Sequence, residues 1–348
     1  MTWLYETFWT DSFWLPKGYT WNDLKSTPQL KKAEFSDLMF LPVLVIVFST
    51  LRYFFERSIA KPFCLFLGIP NEEIIVELKS LEKMYKNGIL FPSDKDLNNL
   101  VNITGLSKQY LCAWFRKRRT GRKTPLLKKA TETCWRCFIY FLLFCYGSFV
   151  LIRTDWFYDN STWMKDFIRK HEFTTDLKCY YFAEITFYLS LFISQFFDTK
   201  RKDFYQLFVH HITTLVLLLG SYTLSLYRFG AVIMYLHDAA DSWLEAAKLA
   251  NYAKIQKACD ALFAMFAIVF ISTRIIYYPA WVAHAYFYYS TYEASIVLKF
   301  LVCLCFLLLF LHFYWGYLIV KMVYKLIRSG KVDKDTRSDT EDSDDNEA

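Results

Sequence analysis

Residues able to do acid–base or nucleophilic chemistry sit in this chain where hydropathy disfavours them. His210-His211 open one apolar stretch, and His237-Asp238-Ala239-Ala240-Asp241, Glu245 and Lys248 interrupt the next. On a helix, positions 238, 241, 245 and 248 follow an i, i+3, i+7, i+10 pattern and share one face. A charge at the centre of a bilayer costs roughly 2.5–3.5 kcal/mol, so such a stripe must line a cavity or find partners, and His210 or His211 is the obvious one. A carboxylate beside a histidine fixes its tautomer and raises its basicity, which suits general-base or nucleophilic work. Two adjacent histidines point about 100° apart on a helix of 3.6 residues per turn, so they have different tasks. The plain alternative is that Asp241, Glu245 and Lys248 satisfy one another near a helix end.

A mononuclear metal site from His210, His211 and Asp238 competes with that reading. The chain has six His, at 171, 210, 211, 237, 284 and 312, and no H-x-x-x-H or H-x-x-H-H spacing. Cys134 and Cys137 form a lone C-x-x-C without a second pair, a weak zinc signal. No P-loop, G-x-G-x-x-G or G-x-S-x-G motif is present, and only ten glycines are available for phosphate-cradling loops.

The elements that must hold these residues are apolar helices. Of 348 residues 55% are hydrophobic and 20% aromatic, which excludes a disordered chain, a collagen and a disulfide scaffold. Seven apolar runs approach bilayer length: Leu38–Phe55, Trp135–Ile152, Tyr180–Phe197, Tyr205–Leu224, Phe229–Ala250, Ala258–Tyr278 and Ile296–Val323. The expected fold is all-α and polytopic. Residues 62–133 form the one long polar stretch, with helical periodicity at Glu72–Tyr85 and Ser107–Arg119. Met1–Pro16 is aromatic and acidic without a basic n-region, so no cleavable signal is expected.

Charge sets the orientation. The chain carries +7, and its last 18 residues hold three basic and eight acidic side chains. Arg116–Lys129 has eight Lys or Arg and no acid. Basic stretches follow spans one, three, five and seven, so the positive-inside rule predicts an external or lumenal N-terminus and a cytosolic C-terminus. Asn160-Ser161-Thr162 is then a glycan acceptor on the lumenal side, whereas Asn102-Ile103-Thr104 falls on the cytosolic side. Ser338, with Glu341 at +3, and Ser343, before Asp344-Asp345, fit acidophilic phosphorylation. The loop Tyr278–Glu293 reads as an interfacial aromatic belt.

Arg201-Lys202-Asp203-Phe204, His210-His211, Leu236-His237-Asp238-x-x-Asp241, Glu245-Ala-Ala-Lys248 and Asn251-Tyr252 together resemble the Lag motif of ceramide synthases, within a TLC domain. Phe13-Trp14-Leu15-Pro16, Trp21-x-Asp23-Leu24, Phe55-Glu56-Arg57, Ala60-Lys61-Pro62 and Arg337-Ser338-Asp339 resemble that family too. The resemblance covers the whole chain and implies seven spans, six of them a bundle around a central cavity. It implies transfer of a fatty acyl group from acyl-CoA, a co-substrate and not a resident cofactor, to the amine of a sphingoid base in the endoplasmic reticulum membrane. His210, His211, Asp238 and Asp241 match the family's paired His and Asp. The favoured mechanism makes His210 the acyl acceptor, has Asp238 and Asp241 orient and polarise the imidazoles, and has His211 move the amine proton; a simple general base is the alternative. Lys200, Arg201 and Lys202 are expected to dock the coenzyme A phosphates or to serve only as a topology signal. A carrier or sensor without chemistry is the alternative function.

The same resemblance divides the chain into residues 1–61 (lumenal N-terminus and first span), 62–133 (Hox-like region), 134–325 (TLC domain) and 326–348 (acidic tail). Leu106-Ser107-Lys108-Gln109 and Trp114-Phe115-Arg116-Lys117-Arg118-Arg119 are similar to a homeodomain's third helix. Lys117 stands where that helix needs an adenine-reading Asn, so sequence-specific DNA binding is not expected, and anionic headgroups or acyl-CoA are the expected partners. Family members are thought to dimerise. The loop Tyr278–Glu293 is expected to influence acyl-chain length.

Overall fold

The computed structural model describes residues 8–69, 79–86, 92–108, 110–112, 114–115, 126–163, 165–199, 202–291 and 294–329. Among them there are helices and no β-strand, the expected all-α class. The long elements are α1 (Leu41–Phe55), α2 (Lys61–Phe66), α3 (Lys79–Lys86), α4 (Asp94–Thr104), α5 (Leu126–Leu151), α6 (Thr175–Ser194), α7 (Phe204–Thr223), α8 (Tyr227–Tyr252), α9 (Gln256–Phe270), α10 (Tyr278–Thr291) and α11 (Ile296–Ser329).

Among the described residues, five spans are long and apolar enough to cross a membrane: Phe35–Phe66, Leu126–Leu151, Phe204–Thr223, Gln256–Tyr288 and Ile296–Arg328. The other two expected spans, α6 and α8, are helices of 20 and 26 residues. Their hydropathy is lowered by Asp176, Lys178 and Glu184 in α6, and by Arg228, His237, Asp238, Asp241, Glu245 and Lys248 in α8. Both are heavily buried. Glu184, His237, Asp238 and Glu245 are buried and face protein, as the cost of exposing them to hydrocarbon demands, whereas Asp176, in the first turn of α6, is exposed.

The central helix is α8, which packs most extensively on α5 and α9. One core joins α5, α6 and α7 through Trp135, Ile139, Ile185, Phe187 and Leu215. Another joins α8, α9 and α11 through Ala240, Phe266, Leu308 and Ile319. By contrast α1 lies at the rim and exposes Val43, Ile46, Val47, Leu51 and Phe54, an apolar face suited to lipid.

Two π turns break otherwise continuous helices. Glu56–Ala60 links α1 to α2, and Ile271–Tyr277 links α9 to α10. The second widens the helix by one residue and carries Arg274 into the bundle, where it is buried; π turns of this sort recur at functional sites. The segment Tyr278–Glu293, expected to be a loop, is helical through Thr291.

In the polar region, α3 falls within the expected Glu72–Tyr85 helix, and residues 70–78 lie outside the described residues. The periodicity gave no sign of α4. It is set by local chemistry: Ser93 and Asp96 form a capping box, and Gly105, at φ +68°, ends it in the left-handed region. Leu81, Leu97, Leu100, Leu111, Trp114 and Phe115 bury one another in a small core. Lys117 lies outside the described residues.

Candidate active site

The start of α5, the end of α6, the start of α7 and the end of α8 meet around a cavity of about 200 Å³. Its outer part is charged, with Lys129, Glu132, Arg136, Asp198, Glu245 and Lys248. Arg136 Nε donates to Glu245 Oε2 at 3.1 Å, and Glu245 also pairs with Lys248. Arg52, from α1, donates from Nη2 to both Asp198 oxygens at 2.9 Å and from Nε to Glu56 at 2.6 Å. The plain reading of Glu245 and Lys248 as a local pair thus holds, but within a wider network at the cavity mouth.

The inner part holds His210, His211, Asp241, Arg274, Tyr140 and Trp315. The two histidine rings are 5.8 Å apart and inclined at 49°, as adjacent helical residues must be. His210 meets the edge of Trp315 at 5.4 Å, and its Nδ1 is buried with no hydrogen-bond partner. His211 Nδ1 lies 2.9 Å from Gln195 Oε1, and its ring meets Tyr188 at 6.4 Å.

The two aspartates part company. Asp241 reaches the cavity, where its Oδ2 accepts a 2.7 Å bond from Arg274 Nη2. Asp238 is fully buried on the α6 side, where its Oδ2 accepts a bond from Tyr180 at 3.4 Å. Asp241 thus bonds to Arg274, Asp238 to Tyr180, and His211 to Gln195. Of the three basic residues expected to dock phosphates, Lys202 is exposed, and Lys200 and Arg201 lie outside the described residues. Ser338 and Ser343 also lie outside them. Asn160 begins a short 3-10 turn, Asn160–Thr162.

A second, apolar cavity of about 70 Å³ lies further along α7. Thr214, Leu217 and Ser221 line it at i+4, i+7 and i+11 from His210, so one face of α7 serves both cavities. Its far wall includes Phe229, Gly230 and Ile233 of α8 and Leu298, Leu301 and Val302 of α11. His237 lines this second cavity rather than the first. Its Nε2 lies 3.0 Å from His312 Nε2, and its Nδ1 donates to the Ile233 carbonyl at 2.7 Å.

The family model described as a TLC domain matches residues 129–321. Mouse (Mus musculus) ceramide synthase 5 is 36% identical, over 98% of this chain and 83% of the relative. Human (Homo sapiens) ceramide synthase 5 is 37% identical, over 99% of this chain and 89% of the relative. The chain belongs to the ceramide synthase family. Mouse ceramide synthase 4 is 35% identical, over 98% and 88% of the two chains.

Reading the ceramide synthase motif from sequence finds His210, His211, Asp238 and Asp241 but not Arg274, Gln195 or His312. Arg274 carried a signal: a lone arginine inside the apolar run Ala258–Tyr278 requires a buried partner, and Asp241 is that partner. Gln195 carried none, because an amide at the end of a span reads as a helix cap. No group of three or more His, Cys, Asp or Glu able to hold a metal ion exists among the described residues.

Proposed function

We infer that this chain is a sphingoid base N-acyltransferase that moves a fatty acyl group from acyl-CoA to the amine of sphinganine or sphingosine, giving (dihydro)ceramide. The observation that carries this is the pair His210 and His211 in a charged cavity, with an apolar cavity further along the same face of α7, in a chain that aligns with ceramide synthases over nearly its full length.

Both substrates are amphiphiles, and the two cavities divide in the same way. The apolar cavity suits an alkyl chain, and the charged mouth suits the coenzyme A head. The favoured sequence uses His210 first. Its imidazole attacks the thioester carbonyl, the C–S bond breaks, the ring's own proton passes to the sulfur, and the acyl group rests on the ring as coenzyme A leaves as the thiol. The amine then attacks that acyl carbon, the amide bond forms, the bond to the His210 nitrogen breaks, and the amine proton passes to His211. The unpartnered Nδ1 of His210 supports this order. In the simpler version a histidine only deprotonates the amine. Asp241 and Arg274 hold the cavity wall in both. Purified protein given a sphingoid base and acyl-CoAs of graded length is the test: formation of no amide with any of them sinks the reading.

The remaining assignments follow from family and charge pattern. We place the protein in the endoplasmic reticulum membrane with seven spans, α6 and α8 included, a lumenal N-terminus and a cytosolic C-terminus. The mouth of the cavity is then cytosolic, the side on which acyl-CoA resides. Lys200, Arg201 and Lys202 follow α6 in sequence and are assigned to the coenzyme A phosphates. A dimer, a glycan on Asn160, phosphorylation of Ser338 and Ser343, and contact of the basic Hox-like region with anionic lipid complete the proposal.

A further inference from the structure

Gln195 stands at the C-terminal cap of α6 and is buried. Its side-chain nitrogen donates to the Phe204 carbonyl at 2.9 Å, and its side-chain oxygen lies 2.9 Å from His211 Nδ1. A carbonyl oxygen only accepts hydrogen bonds. The amide must therefore turn its NH₂ toward Phe204, because the flipped amide would set two oxygens face to face. With the amide so fixed, its oxygen can only accept from His211. The Nδ1 of His211 must then carry a proton, and in the neutral ring the lone pair sits on Nε2.

We propose that Gln195 is a positioning residue for the acyl transfer, locking His211 in the Nδ1–H tautomer so that Nε2 takes the proton of the attacking amine. Phe204 is the first residue of α7, so one amide both ties the α6–α7 turn and sets the ring two turns further along α7. His210 has no such tie at Nδ1. The adjacent histidines are thereby made unequal: one is held in a single protonation pattern for proton transfer, and the other is left to take the acyl group. When the amine attacks, its proton goes to Nε2, and the resulting imidazolium keeps its Nδ1–H bond to Gln195. The proton then passes to the departing His210 nitrogen, and both rings return to the neutral state. This inference rests on the acyltransferase reading and deepens it.

Three forms of the full-length protein in detergent test it, with kcat and KM measured for the sphingoid base. Gln195→Met keeps length and removes both polar atoms. Gln195→Glu keeps an acceptor for His211 but cannot donate to Phe204. The expected result is a fall in kcat of about 10–100-fold for Q195M with KM little changed, and recovery of most of that loss in Q195E. A purely structural tie to Phe204 gives the opposite pattern, with Q195E as impaired as Q195M, and overturns the inference; so does Q195M with wild-type kcat. If Q195M does not fold, Q195E against wild type still decides: kcat within about tenfold supports the tautomer lock, and a loss beyond about 100-fold overturns it. The wild-type arm separates the two levels. An inactive wild type with every acyl-CoA overturns the acyltransferase reading and the inference with it, whereas an active wild type with the wrong variant pattern overturns the inference alone.

Discussion

Arg274 binds Asp241 through a single nitrogen: Nη2 donates 2.7 Å bonds both to the Asp241 carboxylate and to the His237 carbonyl. The π turn between α9 and α10 is thereby clasped to α8 beside the histidines. Removing one partner of a buried ion pair typically costs 3–5 kcal/mol, because the other charge stays buried alone. Arg274→Ala and Asp241→Asn should each lower the melting temperature in detergent and cut turnover by about 100-fold or more. The double variant R274M/D241L should be less unstable than the sum of the single changes. Additive losses would show that the pair is not the clasp.

The histidine pair gives a second expectation. His210→Ala and His211→Ala should each reduce turnover by about 10²–10⁴-fold, the usual contribution of a positioned acid–base group. Mass spectrometry after exposure to acyl-CoA alone should find an acylated protein in wild type and in H211A, and none in H210A. Acylated H210A would move the nucleophile to another residue. Full turnover in H210A together with a dead H211A would leave only the general-base mechanism.

The bundle was legible from the sequence because its signal is additive: seven runs of apolar residues each mark a helix, whatever their neighbours. His210, His211, Asp238 and Asp241 were legible for the converse reason, as polar residues at positions where hydrocarbon excludes them. Pairing was not legible. Asp241 meets an arginine 33 positions along the chain, and Asp238 meets Tyr180 on a different helix. Periodicity reports which face a residue occupies and says nothing of what faces it. Gln195 is the extreme case, since its role depends on a carbonyl nine residues away and a histidine sixteen away.

Outside the membrane spans, His171 predicts a pH dependence. It is buried, and its Nε2 lies 2.9 Å from the Thr162 carbonyl. Burial first, and the positive charge of Arg228 second, push it down from 6.5 to about 4. Its folded value lies below its unfolded value, so between these two the unfolded state binds more protons, and stability falls as pH drops from 6.5 toward 4. At 1.36 kcal/mol per pH unit, the full loss is about 3 kcal/mol. Asp23, held down at about 2 by Arg169, contributes only below its ordinary value of 3.8, a separate window. Melting temperature between pH 7 and 4.5 should fall steeply in wild type and less steeply in His171→Gln. Parallel curves would remove His171 as the cause.

The close approach of α8 to α6 supplies a last expectation. A Cβ on Gly230 would lie 2.1 Å from the Tyr181 hydroxyl and 2.8 Å from Ser221 Oγ. Tyr181 is buried, and its hydroxyl donates to the Tyr227 carbonyl at 3.0 Å and lies 3.3 Å from Ser221 Oγ. The ring cannot swing aside without giving up those bonds. Gly230→Ala should therefore destabilise the protein by about 1–3 kcal/mol, the range for overpacking a core, and should narrow the apolar cavity that Gly230 lines. Tyr181→Phe removes the colliding oxygen. The pair should be strongly non-additive, with G230A costing less in the Y181F background than alone. An equal cost in both backgrounds would show that the strain lies in α8 itself and not in its contact with α6.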